Sequence, residues 1–479
     1  MNYRLMLYVI GQILRVESML MLSAFAVSLI YGEPSGNSLL FTVIFLGVLG
    51  MILAFNKPKS KVIYPKEGLI VVSMSWILMA VFGAIPFYIS GYIPSFIDAL
   101  FETISGFTTT GASILTSVED LPKGLLYWRS LTHWIGGMGV LVFVLTLMSN
   151  STGHNLHLLR AEVPGPSVEK LVPKLKQTAK LLYGIYFFIT MVQILILIGL
   201  GMPVFDSIVN AFGTAGTGGF AIKNASIGHY EPVYQWVIAI FMMIFGMNFN
   251  IFYFLILKNL RIIGQNEEFR AYMGILAVSI GLITWNIYPV YQSLGTSLRN
   301  AVFQVGSVIS TTGFATVDYN QWPELSRMIL SILMFTGACA GSTAGGFKIS
   351  RIVILFKTIK REITRIIHPD AYCIIKSDGK ILEEKVIAGT GIYLMLYLAV
   401  FVISVLLISL DGFDSETTFT AVAACFNNIG PGFGVVGPAG NYSSLSDFSK
   451  IVLSVNMLMG RLEIFPLIVL ITPSAWRRI

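Results

Sequence analysis

Apolar stretches of membrane-crossing length recur from one end of this chain to the other, separated by short polar segments. Residues 39–55, 181–200, 237–257 and 392–410 carry almost no charge. A helix needs roughly 18 or more such residues to cross ~30 Å of hydrocarbon at ~1.5 Å per residue. The first two helices are expected over 7–31 and 38–55. After Pro58 one pattern appears four times: a full span, a short outer loop, a shorter amphipathic stretch, a Thr/Gly-rich loop and a second full span. The short stretches, 98–107, 206–214, 296–310 and 415–427, cannot reach across a bilayer. Each runs directly into a Gly-bearing loop: Thr109-Thr110-Gly111-Ala112, Thr217-Gly218-Gly219-Phe220, Thr311-Thr312-Gly313-Phe314 and Asn428-Ile429-Gly430-Pro431.

A half-length helix entering a membrane and a loop climbing back out form a re-entrant hairpin. Such backbone survives at that depth only where protein buries it or water lines it. Four hairpins in one chain predict an all-α integral membrane protein, with two N-terminal helices and four parallel span–pore helix–span repeats around a pseudo-fourfold pore. The expected units are 1–58 for the N-terminal pair, then 59–153, 154–265, 266–368 and 369–479. The third carries a broken second span.

Composition sharpens this picture. The chain is 55% hydrophobic and 12% charged, against roughly a quarter charged in soluble domains. The first segment carries Arg4, Arg15 and Glu17 without a convincing cleavage site, and is read as retained. The net charge of +7 comes from loops on one side, holding Lys57, Lys59, Lys61, Lys66, Arg160, Lys170, Lys174, Lys176, Lys180, Lys258, Arg261, Arg270, Lys357 to Arg365, Lys376, Lys380, Lys385, Arg477 and Arg478. Opposite loops hold Asp98, Glu119, Asp120, Asp206, Asp318 and Asp414. Basic loops face the cytoplasm, so both termini are expected inside and the charge implies no nucleic acid. Three cysteines (Cys339, Cys373, Cys425) and five histidines form no metal spacing. No cofactor is expected, and no nucleophile–base pair suggests an enzyme. Gly432 to Gly437 has the spaced glycines of a dinucleotide fingerprint but follows no strand. Gly341 to Lys348 resembles a phosphate loop, but Phe347 interrupts it and it lies within a span.

The candidate chemistry is cation passage. An ion leaving water needs replacement oxygens, and rings of backbone carbonyls supply them. Aiming successive carbonyls one way requires conformations that glycine adopts freely. Gly111, Gly219, Gly313 and Gly430 would give one ring, with K⁺ held at Thr110, Gly111, Thr312 and Gly313. Helix C-termini ending at the loops add partial negative charge. Gly/Thr clusters also permit tight helix crossings, and that reading stands for any single loop.

Two features lie below the loops. The span 327–356 is interrupted by small residues from Gly337 through Gly341, Ser342, Thr343, Ala344, Gly345 and Gly346, with Lys348 just beyond. It reads either as a gate under the filter or as a close-packed helix face. Arg461 sits deep in an apolar stretch, 452–471, where charge is costly. It would either face the pore or tie helices together. Glu463, two positions on, points to another side of the helix.

These motifs, with Trp128-Arg129, Trp134-Ile135-Gly136-Gly137-Met138-Gly139 and Asn427 to Gly434, resemble the Trk/Ktr/HKT superfamily of cation transporters over nearly the whole chain. The extra N-terminal helix pair is similar to its TrkH-type branch. The resemblance implies a homodimer in the bacterial inner membrane that conducts K⁺ and to some extent Rb⁺ inward, with a cytosolic TrkA-type nucleotide-binding ring docked below. It also implies that the intramembrane loop and Arg461 restrict the pore, and that glycine rather than serine at 111 favours K⁺ over Na⁺. A potassium carrier coupled to H⁺ or Na⁺ is the alternative. Carriers commonly hold the coupling ion on an intramembrane acid, whereas the clearest deep charge here is an arginine. The basic stretch from Lys357 to Arg365 suits a docking partner or anionic lipid equally.

Overall fold

The computed structural model describes residues 2–58, 64–139, 175–371 and 373–476, with the side chains of 175–178 left aside. Lys59, Lys61, Arg160, Lys170, Lys174, Arg477 and Arg478 lie outside the described residues, as do positions 140–153 of the first expected unit and 154–174 of the second. The regular secondary structure of the described residues is helical apart from a small hairpin, Lys376–Ser377 paired with Lys380–Ile381. Among the described residues, six helices are long and apolar enough to cross a bilayer: Tyr3–Ile30, Gly36–Ala54, Pro65–Ile89, Ala179–Gly199, Glu267–Tyr291 and Glu384–Asp411. Their outward faces carry large exposed side chains such as Phe188, Trp285 and Met395. Lipid is the solvent for those residues.

Between helices in lipid, close packing does what water exclusion does elsewhere. The N-terminal pair shows this. A Cβ on Gly11 would lie 2.8 Å from the Ala54 nitrogen and 2.9 Å from the Gly50 oxygen, so the two backbones nearly touch.

The four short helices are Phe96–Phe107, Val204–Ala215, Leu294–Ile309 and Ser415–Phe426, within a few residues of the expected stretches. Three begin with a side-chain cap, in which Ser95, Ser293 and Asp414 accept N–H groups from Asp98, Thr296 and Thr417. Hydrogen bonds from Thr417 hold the Asp414 carboxyl below its ordinary value. Each short helix packs on the helix that follows the Gly-bearing loop of the preceding unit. Val204–Ala215 packs on Lys123–Met138, Leu294–Ile309 on Pro232–Phe245, Ser415–Phe426 on Glu324–Thr336, and Phe96–Phe107 on Asp447–Arg461. The last contact joins the fourth unit to the first and closes a ring.

Two spans expected to be continuous are broken. The stretch 237–257 divides into Pro232–Phe245 and Phe249–Ile256, bent by 94°. Cys339 N–H donates to the carbonyl of Gly246 at 3.1 Å, so the break is satisfied by a distant loop. The stretch 452–471 divides into Asp447–Arg461 and Phe465–Ile471, with Glu463 and Ile464 at positive φ between them. The third unit's interruption, between Glu324–Thr336 and Ile349–Ile367, is therefore the longest of three such breaks among the described residues.

Candidate functional site

Each short helix ends in the same way. Thr109, Thr217, Thr311 and Asn428 adopt φ of 55°, 53°, 54° and 56°. The next residue's N–H reaches back to the carbonyl five positions earlier: Thr110 to Ser105, Gly218 to Gly213, Thr312 to Ser307 and Ile429 to Ala424, all at 2.8 Å. This is a Schellman ending with Thr or Asn where Gly is usual. A β-branched residue at positive φ costs of order 1–3 kcal/mol, strain of the kind that clusters at functional sites.

Two residues after each of these comes a glycine at positive φ: Gly111 at 82°, Gly219 at 75°, Gly313 at 86° and Gly430 at 99°. Their surroundings form a cycle. A Cβ on Gly111 would strike the carbonyl oxygen of Gly218, one on Gly219 that of Thr312, one on Gly313 that of Ile429, and one on Gly430 that of Thr110. Each loop thus presses its glycine against the carbonyl of the next, and the fourth returns to the first. The glycines are required twice over, by backbone conformation and by the neighbouring loop. All four line one cleft. Asn428 ties the last loop to the first, its Nδ2 donating to Thr110 Oγ1 at 3.0 Å.

The second loop alone has glycine between its two positive-φ residues, and the reason is His133. A Cβ on Gly218 would enter the imidazole ring, and one on Gly216 would meet the His133 carbonyl. His133 Nε2 accepts the Phe220 N–H at 3.2 Å, so the proton is on Nδ1, 2.7 Å from the Gly106 carbonyl to which it donates. The ring therefore links the first short helix to the second loop. Gly218→Thr should destabilise the protein by about 1–3 kcal/mol through overpacking. In a double-mutant cycle read by unfolding in detergent, adding His133→Ala should cost less than the sum of the single changes by about 1 kcal/mol or more. Strict additivity would separate the two positions.

Behind the first two loops lies an ion pair that the sequence reading passed over. Arg129 Nε is 2.6 Å from Glu102 Oε1, with both side chains buried. The Ile114 N–H donates to Glu102 Oε2 at 2.9 Å, and Arg129 Nη1 donates to the Ala221 carbonyl at 3.0 Å. Charges inside two apolar helices were the available signal.

Beneath the loops runs the segment from Gly337 to Lys348. Its Gly345 N–H donates to Thr311 Oγ1 at 2.7 Å, joining it to the third loop's strained threonine. A Cβ on Gly345 would lie 2.5 Å from the Asn427 carbonyl and 2.9 Å from Asn428 Cβ. Gly341, Ser342, Thr343, Ala344 and Gly346 complete this stretch. Lys348 is buried, at φ 79°, and its ammonium donates to the Ala344 carbonyl. Arg461 donates to Thr343 O at 2.7 Å, to Gly137 O at 2.8 Å and to Gly136 O. It therefore fastens the segment to the end of Lys123–Met138. Glu463 pairs with Arg351 at 2.6 Å.

The chain is similar throughout to known transport proteins. A family model described as TrkH, cation transport protein, matches residues 36–280 and 286–477. The Trk system potassium uptake protein TrkH of Salmonella typhimurium is 36% identical over the whole of both chains. The Trk system potassium uptake protein TrkG of Escherichia coli K12 is 33% identical over 99% of each. The crystal structure of the potassium transporter TrkH from Vibrio parahaemolyticus superposes with a TM-score of 0.90 at 32% identity, covering both chains fully. The chain belongs to the TrkH family, a family of transport proteins rather than enzymes.

Proposed function

We propose that this member of the family takes up potassium, and rubidium less readily, through a pore whose selectivity filter is the ring of four loops. The observation that carries this reading is the closed cycle of glycines against neighbouring carbonyls. It holds four short stretches of carbonyl-bearing backbone around one axis, which is what a dehydrated cation needs. K⁺ would be held by carbonyls of Thr110, Gly111, Thr312 and Gly313 with their counterparts in the other two loops. The expected units 59–153, 154–265, 266–368 and 369–479 each supply one loop.

The segment from Gly341 to Gly346, with Lys348 and Arg461, is the gate: it is bonded to the third loop and lies across the route below it. The protein sits in the bacterial inner membrane with both termini in the cytoplasm, as its basic loops require. It functions as a homodimer, and its cytoplasmic face receives a TrkA-type regulatory ring. The test is K⁺ and Na⁺ influx into proteoliposomes without an imposed H⁺ or Na⁺ gradient. K⁺ influx that exceeds Na⁺ influx supports the reading, and influx appearing only with a coupling gradient overturns it.

One observation favours the coupled carrier as a second reading. Glu17 is buried within the first helix, and neither carboxyl oxygen has a hydrogen-bond partner among the described residues. It lies behind the first short helix, where a Cβ on Gly83 would touch both Glu17 Oε1 and Phe107. A coupled carrier would need such an acid. Glu17→Gln should leave K⁺ influx within about twofold of wild type, since the group lies off the proposed route. Abolished influx in a folded Gln variant would favour proton coupling.

A further inference from the structure

The intramembrane segment needs something to hold it beneath the loops, and an acid from another helix does so. The helix Ile349–Ile367 resumes the broken span, and the first N–H groups of any helix lack intrahelical partners. Its N-cap residue is Lys348, which makes no side-chain cap and, as an ammonium, has no acceptor to offer. The missing acceptor comes from Glu268, in the first turn of Glu267–Tyr291. Glu268 Oε1 accepts the Ser350 N–H at 3.1 Å, in the first turn of the resumed helix. The same oxygen accepts the Ala340 N–H at 2.7 Å, near the start of the segment. One carboxylate thus fastens both ends of the interruption. A carboxylate at a helix N-terminus is also favoured by the helix dipole. The adjacent Glu267 holds the same pair of helices together through Lys357, so the two acids brace the base of the loop.

We propose that Glu268 is the positioning residue that keeps the intramembrane segment closed under the filter. This rests on the pore reading above, and it assigns Glu268 no contact with the ion. Losing the acceptor frees two N–H groups at once, and the segment between them is rich in glycine, so it opens more often. The filter glycines are untouched, so ion discrimination is retained while conduction rises.

The native Cys339, buried beside Ala340, reports on this without any added label site. Cys425, buried in the fourth short helix, serves as a control. Purified full-length protein in proteoliposomes is treated with a maleimide, and labelling of each cysteine is resolved by peptide mass. Glu268→Ala should label Cys339 at least about tenfold faster than wild type, the scale of losing even one of its two charge-assisted hydrogen bonds, with Cys425 unchanged. K⁺ influx should rise several-fold at an unchanged K⁺/Na⁺ ratio. Glu268→Gln, which keeps an acceptor oxygen, should fall between and covers the case in which the alanine variant does not fold. Unchanged Cys339 labelling, or labelling that rises equally at Cys425, overturns the proposal, as does reduced influx in a folded variant. Were wild type to show no K⁺ influx, the pore reading would fail while Cys339 labelling still decided whether Glu268 holds the segment.

Discussion

Gly111→Ser should lower the K⁺/Na⁺ influx ratio by at least about tenfold, equivalent to ~1.4 kcal/mol of discrimination, while leaving a conducting protein. Gly111 is at φ 82°, and a Cβ there would run into the Gly218 carbonyl. Serine can be accommodated only if the first and second loops move apart. That widens the ring at one point and unmatches the carbonyls from the size of a dehydrated K⁺. The backbone strain of a non-glycine residue at that φ, of order 1–3 kcal/mol, adds to the tendency to relax outward. Proteoliposome influx of the two ions, measured in parallel, gives the ratio. An unchanged ratio would mean that Gly111 is not part of the selective ring.

Arg129→Met should cost about 3–5 kcal/mol of folding stability, because it strands the buried Glu102 carboxylate without its charge partner. The geometry makes the loss larger than that of a surface pair. Arg129 also donates to Ser113 Oγ at 3.1 Å and lies 3.4 Å from the centre of the Phe220 ring. It therefore holds the exits of the first and second loops together. Equilibrium unfolding in mixed micelles measures the cost. Replacing both partners, Glu102→Gln with Arg129→Met, should recover part of it, since no uncompensated charge remains buried. A single-variant cost below about 1 kcal/mol would show the pair to be as dispensable as a surface ion pair.

Much of the fold was legible because length and periodicity are strong signals in a membrane chain. The short helices were found from stretches such as 98–107 that are apolar on one face and too brief to cross. The loop glycines followed from their repeated position. Other features come from contacts between distant segments. The stretch 237–257 is uniformly apolar, and nothing in it announces the 94° bend, which depends on Cys339 bonding to Gly246. The extra glycines of the second loop, Gly216 and Gly218, have no counterpart in the other three loops. They are room for His133, a residue about eighty positions earlier. Arg461 donates to carbonyls of Thr343, Gly136 and Gly137, partners more than a hundred positions away that no local pattern announces. Glu268 gave no sign at all, being an ordinary first-turn acid until the loop folds over it.

The most direct measurement is anomalous scattering from crystals grown in rubidium or thallium, heavy analogues of potassium. Density is expected on the axis, ringed by the carbonyls of Thr110, Gly218, Thr312 and Ile429 and of the glycines that follow them. Density confined to other sites, or a ring empty while the ion binds elsewhere, contradicts the assignment of these four loops as the filter.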